Sequence, residues 1–153
     1  MKASDLMTKN VFTCRSEDTL ELAAKVLWEQ DVGCLVVVDD EQRPVAMLTD
    51  RDICMAAYTQ GVALRDSKVA SAMSQHLVTC SPETSSANLE ALMVAAQVRR
   101  VPVLGHDGKL AGLATLGDIA HYSVSSPLHF TTVPAVATTL AAITEPRSSN
   151  VAA

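Results

Sequence analysis

Apolar positions follow two alternating rhythms along this chain. In DTLELAAKVLWEQD (18–31), Leu20, Ala23, Ala24 and Leu27 recur at the three- and four-residue spacing of one helix face. Leu89, Leu92, Met93 and Ala96 repeat that spacing further on. The runs CLVVV (34–38) and VPVL (101–104) are instead apolar at every position, which predicts buried strands. DDEQRP (39–44) and GHDGK (105–109) break the pattern as turns. Second strands over 45–49 and 111–115 lead into second helices over 50–58 and 116–122, and short strands over 11–14 and 77–80 open each series. The predicted order is β-α-β-β-α, written twice: an α/β fold.

The two series are copies of one another. At an offset of 66 positions the chain matches itself without a gap: VFTCRSE (11–17) falls on LVTCSPE (77–83), and VAMLTDRDI (45–53) on AGLATLGDI (111–119). Thr13/Thr79, Cys14/Cys80, Thr49/Thr115, Asp52/Asp118 and Ile53/Ile119 are identical pairs. Two copies of this length predict two half-domains, residues 1–66 and 67–123, packed about a pseudo-two-fold axis. TQGVALRDSK (59–68) joins them, with Gly61 as a helix stop. The tail, 124–153, departs from the repeat. SVSSPLHFT and EPRSSNVAA read as irregular. Between them Val133, Val136, Leu140 and Ile143 are spaced for a short helix over 133–144, with Pro134 tolerated in its first turn.

Composition narrows the function. Aromatic residues are 3% and the net charge is -5, so the chain is poorly equipped to neutralise phosphates along a nucleic acid or to stack its bases. No apolar run approaches the roughly 18 residues of a membrane span, and MKASDLMTKN has no apolar core of a signal peptide. Cys14, Cys34, Cys54 and Cys80 are widely separated, with neither metal-finger spacing nor the density of a disulfide scaffold. These features predict a cytoplasmic protein with free thiols, no bound metal and no membrane or nucleic-acid partner.

The polar residues concentrate at two kinds of junction. Thr49 with Asp52, and Thr115 with Asp118, have the spacing of a helix capping box with Asp in the place of Glu. A helix start of this kind also offers free N–H groups and partial positive charge to an anion, and its carboxylate can accept two hydroxyls of a diol. The two roles are compatible. Asp50 and Asp52 make a poor acid–base pair, because residues two apart at a helix start do not face each other. Arg99 and Arg100 precede a buried strand, either as a solvated corner or as a fork for phosphate. Their counterparts are Gly33 and Cys34, and those of Asp50 and Arg51 are Leu116 and Gly117. Cys14 and Cys80 read either as small core residues or as parts of a site. Trp28 reads as a core or a dimer-contact residue. His76, His106, His121 and His129 are scattered and read as solvated.

The repeat, with LMT near the start, RRVPVL on a central strand, and LTDRDI and LATLGDI at the strand-to-helix junctions, resembles the CBS domain. Over residues 4–122 the chain resembles a stand-alone CBS pair, or Bateman module. That resemblance implies a disc with two clefts for adenosine-type ligands: AMP, ADP or ATP, with NAD or S-adenosylmethionine as further candidates. It assigns the ribose to Thr49, Asp52, Thr115 and Asp118, and the phosphate to Arg99 and Arg100 with Arg51 nearby. It assigns the base to the strands holding Thr13, Cys14, Thr79 and Cys80. It further implies a homodimer that regulates a separate target protein and is not an enzyme, with no cofactor of its own. The clefts are expected to be unequal, the Thr49/Asp52 cleft preferring phosphorylated ligands. A purely structural dimerisation module and a small nucleotide-processing enzyme are the competing readings.

Overall fold

The computed structural model describes residues 1–125 and 132–145. Of the expected irregular stretches 123–131 and 145–153, residues 126–131, with His129, and 146–153 lie outside the described residues, as does the side chain of Val133. Ser123, Val124 and Ser125 are instead the last turn of a helix, where the Ser123 and Ser125 hydroxyls bond back to the Ile119 and His121 carbonyls. The first half contains α1 (Ala3–Leu6), β1 (Thr13–Cys14), α2 (Leu20–Glu29), β2 (Cys34–Val38), β3 (Pro44–Thr49) and α3 (Asp50–Gln60). Two single 3₁₀ turns, Leu64–Asp66 and Val69–Ser71, carry the chain across. The second half contains α4 (Ser86–Ala96), β4 (Arg100–Leu104), β5 (Leu110–Thr115) and α5 (Leu116–Ser125), and α6 (Thr132–Thr144) follows. Among the described residues no helix is long and apolar enough to cross a membrane.

Local chemistry accounts for the helix limits. The Thr19 and Ser85 hydroxyls accept the N–H groups of Leu22 and Asn88, which caps α2 and α4 at matching positions. α3 ends at Gly61, whose φ of 63° places it in the left-handed region that glycine enters without penalty. Leu20, Ala23 and Leu27 are buried under the first half, and Leu89 and Met93 under the second. Trp28 is 88% exposed, so it is not a core residue.

β2 pairs parallel with β1 and antiparallel with β3. All five of its residues are buried because its two faces serve different cores. Leu35 and Val37 pack into the first half with α2 and α3. Cys34, Val36 and Val38 face the other way and meet Leu113 in a small core between the halves. β4 pairs antiparallel with β5, and Val101 and Val103 fill the second half's core.

The strand expected over 77–80 shrinks to a single bridge, Cys80 to Val103. The cause is Pro102. In the first half Val36 N–H donates to the Phe12 carbonyl at 3.2 Å. The residue equivalent to Val36 is Pro102, which has no N–H to give. Only the bonds from Cys80 N–H to the Pro102 carbonyl (3.1 Å) and from Leu104 N–H to the Cys80 carbonyl (2.9 Å) survive.

The halves are joined by an exchange of their leading segments. Ala3 N–H donates to the Thr84 carbonyl, and Val69 N–H, 66 residues on, donates to the Asp18 carbonyl. Ser4 to Pro82 is repeated as Ala70 to Ser16, and Thr8 to Leu113 as Ser74 to Met47. The Lys2–Glu83 ion pair recurs as Lys68–Glu17. Each half therefore lends its first residues to the other, and Ala3, Leu6 and Met7 complete the second core while Val69 and Met73 complete the first.

This exchange leaves no room at Gly112. A Cβ built there would stand 2.6 Å from the Met7 Sδ and 2.9 Å from the Thr8 carbonyl oxygen. Its counterpart, Ala46, is accommodated in the first core. Gly112→Ala is expected to cost about 1–3 kcal/mol in urea unfolding, while Ala46→Gly costs less than that by creating only a methyl-sized gap. The thiols make a second check. Burial pushes the Cys14 thiol up to about 12 and also raises those of Cys34 and Cys80, so these groups stay protonated. Cys54 is exposed. Iodoacetamide at about pH 8 is expected to label Cys54 alone in the native protein, and the other three only after denaturation, read by peptide mass spectrometry.

Candidate functional site

Two clefts open between the halves, and they are made of equivalent residues. The first, about 230 Å³, is lined by Met47, Thr49, Asp50, Arg51, Val98, Arg99 and Arg100. The second, about 290 Å³, is lined by Leu113, Thr115, Val32, Gly33, Cys34 and again Arg100, with Thr8, Asn10, Val11 and Phe12. Met47, Thr49, Val98, Arg99 and Arg100 become Leu113, Thr115, Val32, Gly33 and Cys34 on adding 66 positions or removing them. Each cleft thus takes its helix start from one half and its strand start from the other.

The floor of each cleft carries the threonine of a capping box, Thr49 in the first and Thr115 in the second, with Asp52 and Asp118 bonded behind them. Thr49 N–H and Oγ1–H donate to Asp52 Oδ2 at 2.8 and 2.7 Å, and Asp52 N–H donates back to Thr49 Oγ1 at 3.2 Å. Thr115 and Asp118 repeat these bonds at 2.8, 2.7 and 3.1 Å. In both boxes the bonds fall on Oδ2, and Oδ1 receives none among the described residues. The cap therefore uses one carboxylate oxygen and leaves the other to accept hydroxyl donors. The four residues are half-buried, which suits a floor that is shaped yet reachable.

The clefts differ above that floor. In the first, Arg51 and Arg99 are exposed, Arg100 is half-buried, and none of the three is in an ion pair among the described residues. Three guanidinium groups thus gather at the start of α3 in a chain whose net charge is -5. Asp50 is the one acid on that wall, and its Oδ1 accepts the Arg51 N–H at 2.8 Å. The second cleft has Gly33, Cys34, Leu116 and Gly117 at the corresponding positions and no arginine of its own.

The side chains of Cys14 and Cys80 take the place of small core residues. Cys14 packs in the core of the first half and Cys80 in that of the second. Strand alternation turns their side chains inward, and half-buried Thr13 and Thr79 do not join the cleft walls either. The second cleft takes Asn10, Val11 and Phe12, just ahead of the strand, in their stead. Phe12 is 39% exposed there, an aromatic ring available to a planar group. Asn10 and Phe12 were missed because the repeat carries no mark for them: their counterparts are His76 and Val78. The signal lay in that mismatch between the copies.

A third opening, about 410 Å³, lies on the outer face between α2 and the start of α3, lined by Ala24, Leu27, Trp28 and Ile53 among others. On the second half the equivalent helix face is covered by α6. Val136 and Ile143 pack against its core, and Thr139 Oγ1–H donates to Glu90 Oε2 at 2.9 Å. His76, His106 and His121 are exposed and apart from the clefts. Among the described residues no three His, Cys, Asp or Glu side chains come together as a metal site.

Comparison with known proteins follows the same division of the chain. The model of the CBS domain matches residues 3–58 and 69–125. A CBS domain-containing protein of Bacillus subtilis, YhcV, is 35% identical over 124 residues, 80% of this chain and 85% of its own length. Hypoxic response protein 1 of Mycobacterium tuberculosis is 31% identical over 120 residues, 78% of this chain and 83% of that one. A crystal structure of Hypoxic Response Protein I with two coordinated zinc ions superposes with a TM-score of 0.73 at 30% identity, over 80% of this chain and 98% of that chain. The structure of CBSX2 in complex with AMP shares the fold, with a TM-score of 0.71 at 23% identity over 81% of this chain and 96% of that one. Two matched copies, swapped leading segments and paired clefts with capped floors make this chain a member of the CBS-domain family, built as a tandem pair.

Proposed function

We propose that this protein is a regulatory binding module that takes an adenine nucleotide between its halves and acts on a separate target protein. The observation that carries the reading is the first cleft: a capped helix start with a spare carboxylate oxygen, faced by the unpaired Arg51, Arg99 and Arg100. In this reading Thr49 and Asp52 hold the ribose hydroxyls, and the arginines take the phosphate. Adenine is the base found with one structural neighbour, in the CBSX2 complex with AMP. Volumes of about 230 and 290 Å³ fall below or at the lower end of small-molecule sites, roughly 300–1,000 Å³, which favours AMP over a dinucleotide such as NAD. The second cleft, with Thr115, Asp118 and Phe12 but no arginine of its own, suits a ligand that leans on its base and sugar.

A binding role is favoured over catalysis because Asp50 and Asp52, two apart at a helix start, do not face each other as an acid–base pair. Regulation requires that the ligand prefer one arrangement of halves or subunits. The outer face of α2 and α3 supplies a place for the second: Trp28 and Tyr58 are 88% and 83% exposed, with Met55 one turn before Tyr58 on α3. We place a second copy of the chain there, as a homodimer. The cytoplasm is the proposed location, where the four unpaired thiols stay reduced.

Titration calorimetry tests the ligand. AMP is expected to bind, with Arg99→Ala and Arg100→Ala each weakening it about tenfold or more while adenosine changes little. Asp52→Ala is expected to weaken both. Absence of heat with AMP, ATP, adenosine and S-adenosylmethionine would leave a purely structural dimerisation module. For the assembly, light scattering of the intact protein is expected to give twice the chain mass of 16.2 kDa, and Trp28→Glu with Tyr58→Glu the single mass. An unchanged mass in that double variant would remove this face from the interface.

A further inference from the structure

Arg100 lines both clefts. It stands at the head of β4, and its backbone pairs with Thr115 of the second cleft. Its side chain extends across the pseudo-two-fold axis. A Cβ built on Gly33 would stand 3.2 Å from the Arg100 Nη2 and 4.0 Å from the Asp50 Oδ2. The guanidinium therefore lies over the α-carbon of Gly33, at the seam where one cleft gives way to the other. Gly33 is the counterpart of Arg99, so the first half has no side chain at the position where the second has a cation. Cys34, the counterpart of Arg100, is a buried neutral thiol. Among the residues that line the second cleft, Arg100 is the one cation, and it comes from the other half's strand start.

Resting on the nucleotide-binding reading above, we propose that Arg100 is a phosphate ligand shared by the two clefts and that it couples them. One guanidinium fork forms a bidentate pair with one phosphate at a time. A phosphate in the first cleft holds the fork there, beside Arg51 and Arg99. The second cleft then faces a phosphorylated ligand with no cation, though its base and sugar contacts are unchanged. A phosphorylated nucleotide in either cleft weakens binding of a second one in the other, and the effect is reciprocal. An uncharged nucleoside does not take part. The chain accordingly reads a ratio of charged to uncharged adenosine ligands, not only the amount of one. Gly33 is the residue that leaves this space open: its φ is not in the left-handed region, so alanine is tolerated, and a Cβ 3.2 Å from Nη2 moves the guanidinium end by a few tenths of an ångström, with larger side chains moving it further.

The test uses variants of the full chain with one cleft disabled, titrated with AMP and with adenosine. Asp118→Ala leaves the first cleft and Asp52→Ala the second; each removes one helix cap, so folding is checked by circular dichroism. Adding Arg100→Ala is expected to weaken AMP about tenfold or more in both backgrounds and adenosine in neither. Gly33→Ala, which disturbs no cap, is expected to weaken AMP in the second cleft alone. In the wild type, AMP is expected to bind in two steps more widely spaced than those of adenosine. If Arg100→Ala weakens AMP only in the Asp118→Ala background, the arginine serves one cleft and the coupling is wrong. If AMP binds two equal and independent sites, the coupling is also wrong. If AMP does not bind the wild type at all, the nucleotide reading fails together with the coupling.

Discussion

Everything in this molecule hangs on the reciprocal loan of two short segments. Neither half closes its own core: Val69 and Met73 belong to the second copy but fill the first core, and Ala3, Leu6 and Met7 do the converse. The backbone bonds that hold the loan, Thr8 to Leu113 and Ser74 to Met47, tie each segment to the strand that runs into the other half's cleft helix. A half of about 60 residues buries too little surface to be comfortable alone. Exchange turns two marginal cores into one cooperative unit, and it also fixes the relative position of the helix starts whose threonines line the clefts. Ligand geometry and folding stability are set by the same contacts.

Much of this was legible in the sequence because the repeat constrains it twice. The offset of 66 located the central strands and the capping boxes, each copy checking the other, and glycine chemistry alone marked the helix stop at Gly61. What was not legible involved relations between the copies. Nothing in VPVL says that Pro102 deprives its neighbour of a donor; that needs the partner strand. The exchange of leading segments is invisible in periodicity, since MKASDLM and DSKVASAM look like loop in either position. The inward turn of Cys14 and Cys80 follows from strand alternation once the strand's true start is known, and a two-residue strand is too short for a pattern to set its phase.

Departures from the repeat carry as much meaning as its matches. The identical pairs Thr49/Thr115 and Asp52/Asp118 define a common helix start, and the unlike pairs Arg99/Gly33, Arg100/Cys34 and Arg51/Gly117 crowd cations on one wall and leave the other with Arg100 alone. A duplicated fold that kept both walls alike would respond to one ligand with a steeper curve. Divergence at a few wall positions, with the scaffold unchanged, gives one chain two unlike clefts instead.

The placement of α6 has a consequence for growth. It sheathes α4 and α5 of one half, and the matching helices of the other half stay bare. An isologous contact uses the same patch on both members, so a chain with one bare patch can close a two-fold pair and is then saturated. Two bare patches on opposite halves would have allowed stacking without end. In the proposed homodimer a thirteen-residue helix outside the repeat therefore leaves each chain one bare patch, which a two-fold pair uses up.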